Sequence, residues 1–153
     1  MVIVGIDVGV DGAIAALDDK LNYLSCWDMP TMALSATKRQ VNPAAVARIF
    51  QTNGIKSAIV YVERVGAFPG QGVTSMFNFG VSCGIVQGVL AALGIPMVLI
   101  TPQTWKKRAG LSKKPKDMAR TLAQQLYPRA ELGRKKDIGR ADALLIARFG
   151  GAK

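Results

Sequence analysis

Between Arg64 and Lys106 the chain carries no charged side chain. A stretch of that length must lie in a protein core or in a bilayer, and Val81–Ile100 alone is long enough to span one. Gln87 interrupts that segment, and Gly94-Ile95-Pro96 reads as a helix stop followed by a new element. The better parse is a long buried helix over about 74–93 and a short buried strand, Met97–Ile100, with no membrane span. A chain of 153 residues, half of them hydrophobic, has the size and composition of one domain with a continuous core.

The remaining elements point to a mixed α/β sheet. Val2–Val8, Gly12–Leu17 and Asn22–Trp27 read as strands of a meander with turns at Gly9–Asp11 and Asp18–Lys20. Pro43–Gln51 reads as a helix capped by Asn42, and Ser57–Glu63 as a strand buried on both faces. Gly66–Gly72 is too rich in glycine and proline to be a core element. After Met97–Ile100 come Pro102–Arg108, a basic loop, a helix over Asp117–Leu126 and a last amphipathic helix over about 139–149. Strands first, then alternating strands and helices, favour a sheet with helices packed on it.

Charge is unevenly placed. Residues 1–100 hold 6 Lys/Arg and 6 Asp/Glu, whereas residues 101–153 hold 14 and 4, which gives the whole net charge of +10. A neutral body with a basic C-terminal third points to a polyanion contacted on one side. Lys106, Lys107 and Arg108, then Lys113, Lys114 and Lys116, then Arg134, Lys135 and Lys136 form clusters suited to phosphates. There is no histidine, and the only cysteines are Cys26 and Cys83. This composition excludes a Ser-His-Asp triad, a Cys-His dyad and a Cys/His zinc site. Two thiols in apolar surroundings and no signal-peptide pattern point to a cytosolic setting.

With so few acids, their positions are informative. Asp7 sits near the C-terminal end of the apolar run Val2–Val8, and Glu63 ends the otherwise uncharged strand Ser57–Val62. A carboxylate in such a setting is costly unless it is paired or binds a metal. Neighbouring strands lie about 4.8 Å apart, so the two could converge on one cation beyond the carboxyl ends of the sheet. Asp142 interrupts the small and apolar residues of Gly139–Ala147. Three acids from two strands and one helix suit a two-metal phosphodiester site. Asp11 reads mainly as a hairpin-turn residue. Asp137 precedes Asp142 by five residues and could reach the metals from a loop.

Gly5-Ile6-Asp7-Val8-Gly9, Val62-Glu63-Arg64-Val65 and Gly139-Arg140-Ala141-Asp142-Ala143-Leu144 resemble, in order and spacing, the blocks of RuvC-like Holliday junction resolvases. Sugar-kinase and actin-like ATPases share only the first block. The resemblance runs over nearly the whole chain and implies a ribonuclease-H-like mixed five-stranded sheet flanked by helices. It implies that Asp7, Glu63 and Asp142 are catalytic metal ligands for Mg2+ or Mn2+, two ions per site, with a catalytic lysine at Lys114 or Lys116. The family's fourth acid falls at Gly139 here. Asp137 is the candidate to replace it, because Lys135-Lys136-Asp137 looks like shorter phage-type members. Phe68 would be the aromatic that wedges into a junction.

The expected activity is paired, metal-dependent nicking of four-way DNA junctions by a homodimer, in the cytoplasm of a bacterium or a phage-infected host. A related nuclease acting on flaps, forks or RNA and an inert junction-binding protein are the alternatives. Gly80, Gly84 and Gly88 recur every four residues on the long helix. Packing of that stripe within the chain is the first expectation, and a dimer interface the second.

Overall fold

The computed structural model describes residues 1–151. Five strands form one sheet in the order β3-β2-β1-β6-β7, where β1 is Val2–Asp7, β2 Ala13–Leu17, β3 Tyr23–Asp28, β6 Ala58–Glu63 and β7 Met97–Ile100. β1, β2 and β3 run antiparallel, as their short turns require, and β1, β6 and β7 run parallel through helical crossovers. Alternation along β1 divides the core. Val4 and Ile6 face α1 (Pro43–Thr52) and α2 (Val73–Ala92). Ile3, with Ala13, Ala15 and Leu17 of β2, faces α3 (Pro102–Arg108), α4 (Asp117–Leu126) and α5 (Ile138–Phe149). Asp7 shares the odd-numbered face with Ile3, and so looks toward α5.

Local chemistry sets the helix starts. The Asn42 side chain accepts from the Ala45 N–H at 3.1 Å, with Pro43 in the first turn. Thr101 caps α3 in the same way from Thr104 at 3.3 Å. α5 lies so close to β1 that a Cβ on Gly5 would run into the Ala143 carbonyl and the Ala147 backbone. Glycine at position 5 thus brings the Asp142 turn of α5 down onto the end of β1.

Three expectations need correction. The strand Met97–Ile100 is not buried: it is the sheet edge, and Val98 and Leu99 are exposed. α2 is long and apolar enough to cross a membrane, yet it seats only Ser82, Val86 and Leu90 fully against the sheet. Its glycine stripe does not pack within the chain, because Gly80, Gly84 and Gly88 all face open space. A small hairpin, β4 (Thr31–Ala33) with β5 (Arg39–Val41), also stands between β3 and α1. Its strands are three residues long, too short for alternation to register in the sequence.

Candidate active site

β1 and β6 are adjacent and parallel, with Ile6 opposite Val62, so Asp7 and Glu63 lie side by side at their carboxyl ends. The two carboxyl groups are within hydrogen-bond reach of each other. α5 brings Asp142 close enough for its charge to act on Asp7 and for that of Glu63 to act on it. Burial, then the neighbouring charges of Glu63 and Asp142, raise the Asp7 carboxyl well above its usual range. Burial and Glu63 push Asp142 up to about 7, and burial also raises Glu63. Glu63 disfavours ionisation of both Asp7 and Asp142, and a cation placed among the three would relieve that cost.

Glu63 is held in place. The Trp105 indole N–H donates to Glu63 Oε1 at 2.9 Å, wholly inside the protein. Asp142 Oδ1, by contrast, is buried without any hydrogen-bond partner. Among the described residues no group of three or more His, Cys, Asp or Glu side chains is placed to hold a metal ion together. The acids instead form an open pair, Asp7 with Glu63, faced by an orphan oxygen of Asp142. That arrangement fits a hard divalent ion such as magnesium, which takes one or two carboxylates and keeps water for its other positions.

Two lysines face the acids. Lys106 and Lys116 both act to lower the Asp142 pKa, and Lys106 does the same at Asp7 and Glu63. The Lys106 ammonium sits 5.3 Å from the Trp105 ring centroid, so the side chain that steadies Glu63 also carries the nearest cation. Lys113, Lys114 and Lys116 are exposed in the loop before α4, and Lys135 and Lys136 in the turn before α5. Arg108 is tied down, since its Nη1 donates to the Phe149 and Gly150 carbonyls at the end of α5. Phe68 is exposed in the loop after Glu63.

Asp137 does not join the other acids. Its carboxylate is buried and bound by Arg134, which donates from Nη2 at 2.7 Å, from Nε at 3.0 Å and from its backbone N–H at 2.8 Å. Those bonds hold its pKa down and leave it the anchor of the turn that leads into α5. The glycine at 139 also has a physical reason. A Cβ there would strike the Asp11 carbonyl and crowd Gly12, so α5 begins against the β1–β2 turn with no room for an acid.

Reasoning from the sequence did not point to Trp105, and within the Lys106–Lys116 region expected to hold a catalytic lysine it favoured Lys114 or Lys116 over Lys106. A signal was available for Trp105: a tryptophan in the short helix following the strand beside Glu63 buries an N–H that needs an acceptor. Nothing in the sequence announced the Arg39–Asp11 ion pair, 2.8 Å across the mouth of the site.

No family model matches the chain. It is 30% identical over 145 residues to the chloroplastic Holliday junction resolvase MOC1 of Chlamydomonas reinhardtii, over 79% of this chain. The chain spans only 16% of that relative's length. Its structure is similar to Thermus thermophilus RuvC in complex with a Holliday junction substrate, with a TM-score of 0.68 at 20% identity, covering 100% of this chain and 98% of that one. A second Thermus thermophilus RuvC structure aligns with a TM-score of 0.61 at 18% identity, covering 100% and 99%. The chain has the ribonuclease-H-like fold of RuvC, with Asp7, Glu63 and Asp142 gathered at the carboxyl ends of its two central parallel strands.

Proposed function

We propose that this protein is a divalent-metal-dependent endonuclease that resolves four-way DNA junctions. The observation that carries the reading is the convergence of Asp7, Glu63 and Asp142, with a buried Asp142 oxygen left without a partner. The relative and the solved structure named above, a Holliday junction resolvase and a RuvC bound to such a junction, support the choice of substrate. Asp7, Glu63 and Asp142 would hold the ions. Bound divalent metal supplies an activated water and charge neutralisation at the scissile phosphate.

The chain's own groups perform the remaining tasks. Trp105 fixes the Glu63 carboxylate, and the neutral indole leaves the carboxylate's charge available. Lys106 and Lys116, facing the acids, are placed to stabilise the extra negative charge of the phosphate transition state. Lys106 is the favoured catalytic lysine, since it influences all three carboxyls, and Lys114 is assigned to DNA contact with Lys107, Lys113, Lys135 and Lys136. Asp137 is assigned to the Arg134 anchor and not to metal. Phe68 is exposed on the loop that leaves Glu63, where it can enter the junction centre.

The exposed face of α2 supports a homodimer. Val73 and Phe77 are largely exposed, and with Gly80, Gly84 and Gly88 they form one apolar stripe that allows a second helix to approach closely. Two sites related by a two-fold axis suit paired cuts on opposed strands. The test is cleavage of a synthetic four-way junction beside duplex, fork, flap and RNA/DNA hybrid, in magnesium, manganese or EDTA. Symmetrical paired nicks confined to the junction and absent in EDTA support the reading. Tight junction binding with no cutting in either metal refutes it in favour of an inert binding protein.

A further inference from the structure

A cleft of about 710 Å³ opens beside Asp7. It is lined by the Gly9–Gly12 turn, Phe79, Arg39 of the β4–β5 hairpin, and Lys135 and Lys136. The cleft continues past Phe79 into a second hollow of about 450 Å³, where Lys38, Arg39 and Asn78 are found. Phe79 also borders a third hollow that reaches Glu63, so one aromatic ring stands where all three meet.

A cleft of about 710 Å³ has room for one or two nucleotides. An aromatic ring beside cationic side chains is the combination by which proteins hold unpaired strands, since every base has a stacking face and every phosphate a charge. The acids of the cleft do not oppose this. Asp28 is paired with Arg140 at 3.2 Å and Asp11 with Arg39 at 2.8 Å, and Asp7 belongs to the metal-binding trio. The Arg39–Asp11 pair is exposed on both sides, 52% and 87%. Such pairs are weak, and a phosphate can take over the guanidinium at little cost.

We infer that this cleft is a subsite for unpaired nucleotides flanking the scissile phosphate, with Phe79 stacking a base and the β4–β5 hairpin clamping the backbone through Arg39 and Lys38. This rests on the nuclease reading and adds the strand segment that the site holds. Two of the hairpin's cations lie in the otherwise neutral N-terminal part of the chain, so the DNA path is not confined to the basic C-terminal third.

The experiment uses a four-way junction with 2-aminopurine moved one nucleotide at a time along a strand through the exchange point, bound in EDTA. The expected result is a fluorescence change at one or two adjacent positions. Phe79→Leu should abolish it with unfolding in urea unchanged, since leucine refills the partly buried site. Arg39→Gln should weaken binding roughly tenfold or less and reduce the salt dependence by about one ion. Equal signals at all positions, or a local signal untouched by Phe79→Leu with Arg39→Gln binding like the parent, would overturn the subsite. A protein that shows the local signal but never cuts in magnesium or manganese retains the subsite and loses the nuclease reading. Paired nicking with no Phe79-dependent signal does the reverse.

Discussion

Replacing Asp142 by asparagine should stabilise the protein in EDTA at alkaline pH while removing its function. In the folded state the Asp142 carboxyl is pushed from 3.8 to about 7, by burial first and then by Glu63. At 1.36 kcal/mol for each tenfold change in proton affinity, that displacement is worth about 4 kcal/mol. The folded protein keeps a proton that the unfolded chain has already released, so the Asp142 contribution to stability falls as pH rises from about 4 to 7 and is level above that. About 3 kcal/mol of the loss falls between pH 5 and pH 8. For a chain of this size that corresponds to roughly 10 °C in melting temperature. Asp142→Asn has no such charge to bury, so its melting temperature should fall much less over the same range. Adding magnesium at pH 8 should restore stability to the parent and not to the variant. Thermal melts of both proteins at pH 5 and pH 8, with EDTA or magnesium, make the measurement. Parallel pH dependence of the two proteins would refute the account of the clustered acids.

Trp105→Phe keeps the buried ring and deletes only the 2.9 Å bond to Glu63. It should weaken binding of Mn2+, read by paramagnetic resonance, about 10- to 100-fold, and an unchanged affinity would show that the indole merely packs. Gly5→Ala should cost at least 3 kcal/mol or prevent folding, because the added methyl meets the backbone of α5. Gly84→Ala faces open space and should leave the fold intact or improve α2 by up to about 1 kcal/mol, while shifting sedimentation from dimer toward monomer. A Gly84→Ala protein that dimerises as tightly as the parent would remove the stripe from the interface.

Where the sequence carried a strong local signal, it located the element. The apolar runs ending in Asp7 and Glu63 gave two strands with acids at their carboxyl ends, and Asn42-Pro43 gave the start of α1. Burial of α2 and β7 was misjudged because composition reports hydrophobicity and not what covers it. The edge position of β7 depends on the order of the whole sheet, and the outward glycines of α2 depend on which turn meets the core. Asp137 has a partner that its spacing did not suggest. Proximity to Asp142 along the chain suggested shared ligation, whereas Arg134, three residues earlier, already occupies the carboxylate. The lesson of Gly139 lies in the third dimension: its neighbour is the backbone of the β1–β2 turn, more than a hundred residues away.

The central claim is that Glu63, held beside Asp7 and Asp142, binds the metal that cuts the junction. Its most direct test is single-turnover cleavage of a four-way junction by the parent and by Glu63→Gln, with junction affinity in EDTA and unfolding in urea measured for both. The account expects equal binding and folding with cleavage reduced by about three orders of magnitude or more. A Glu63→Gln protein that folds, binds and cuts like the parent would contradict it.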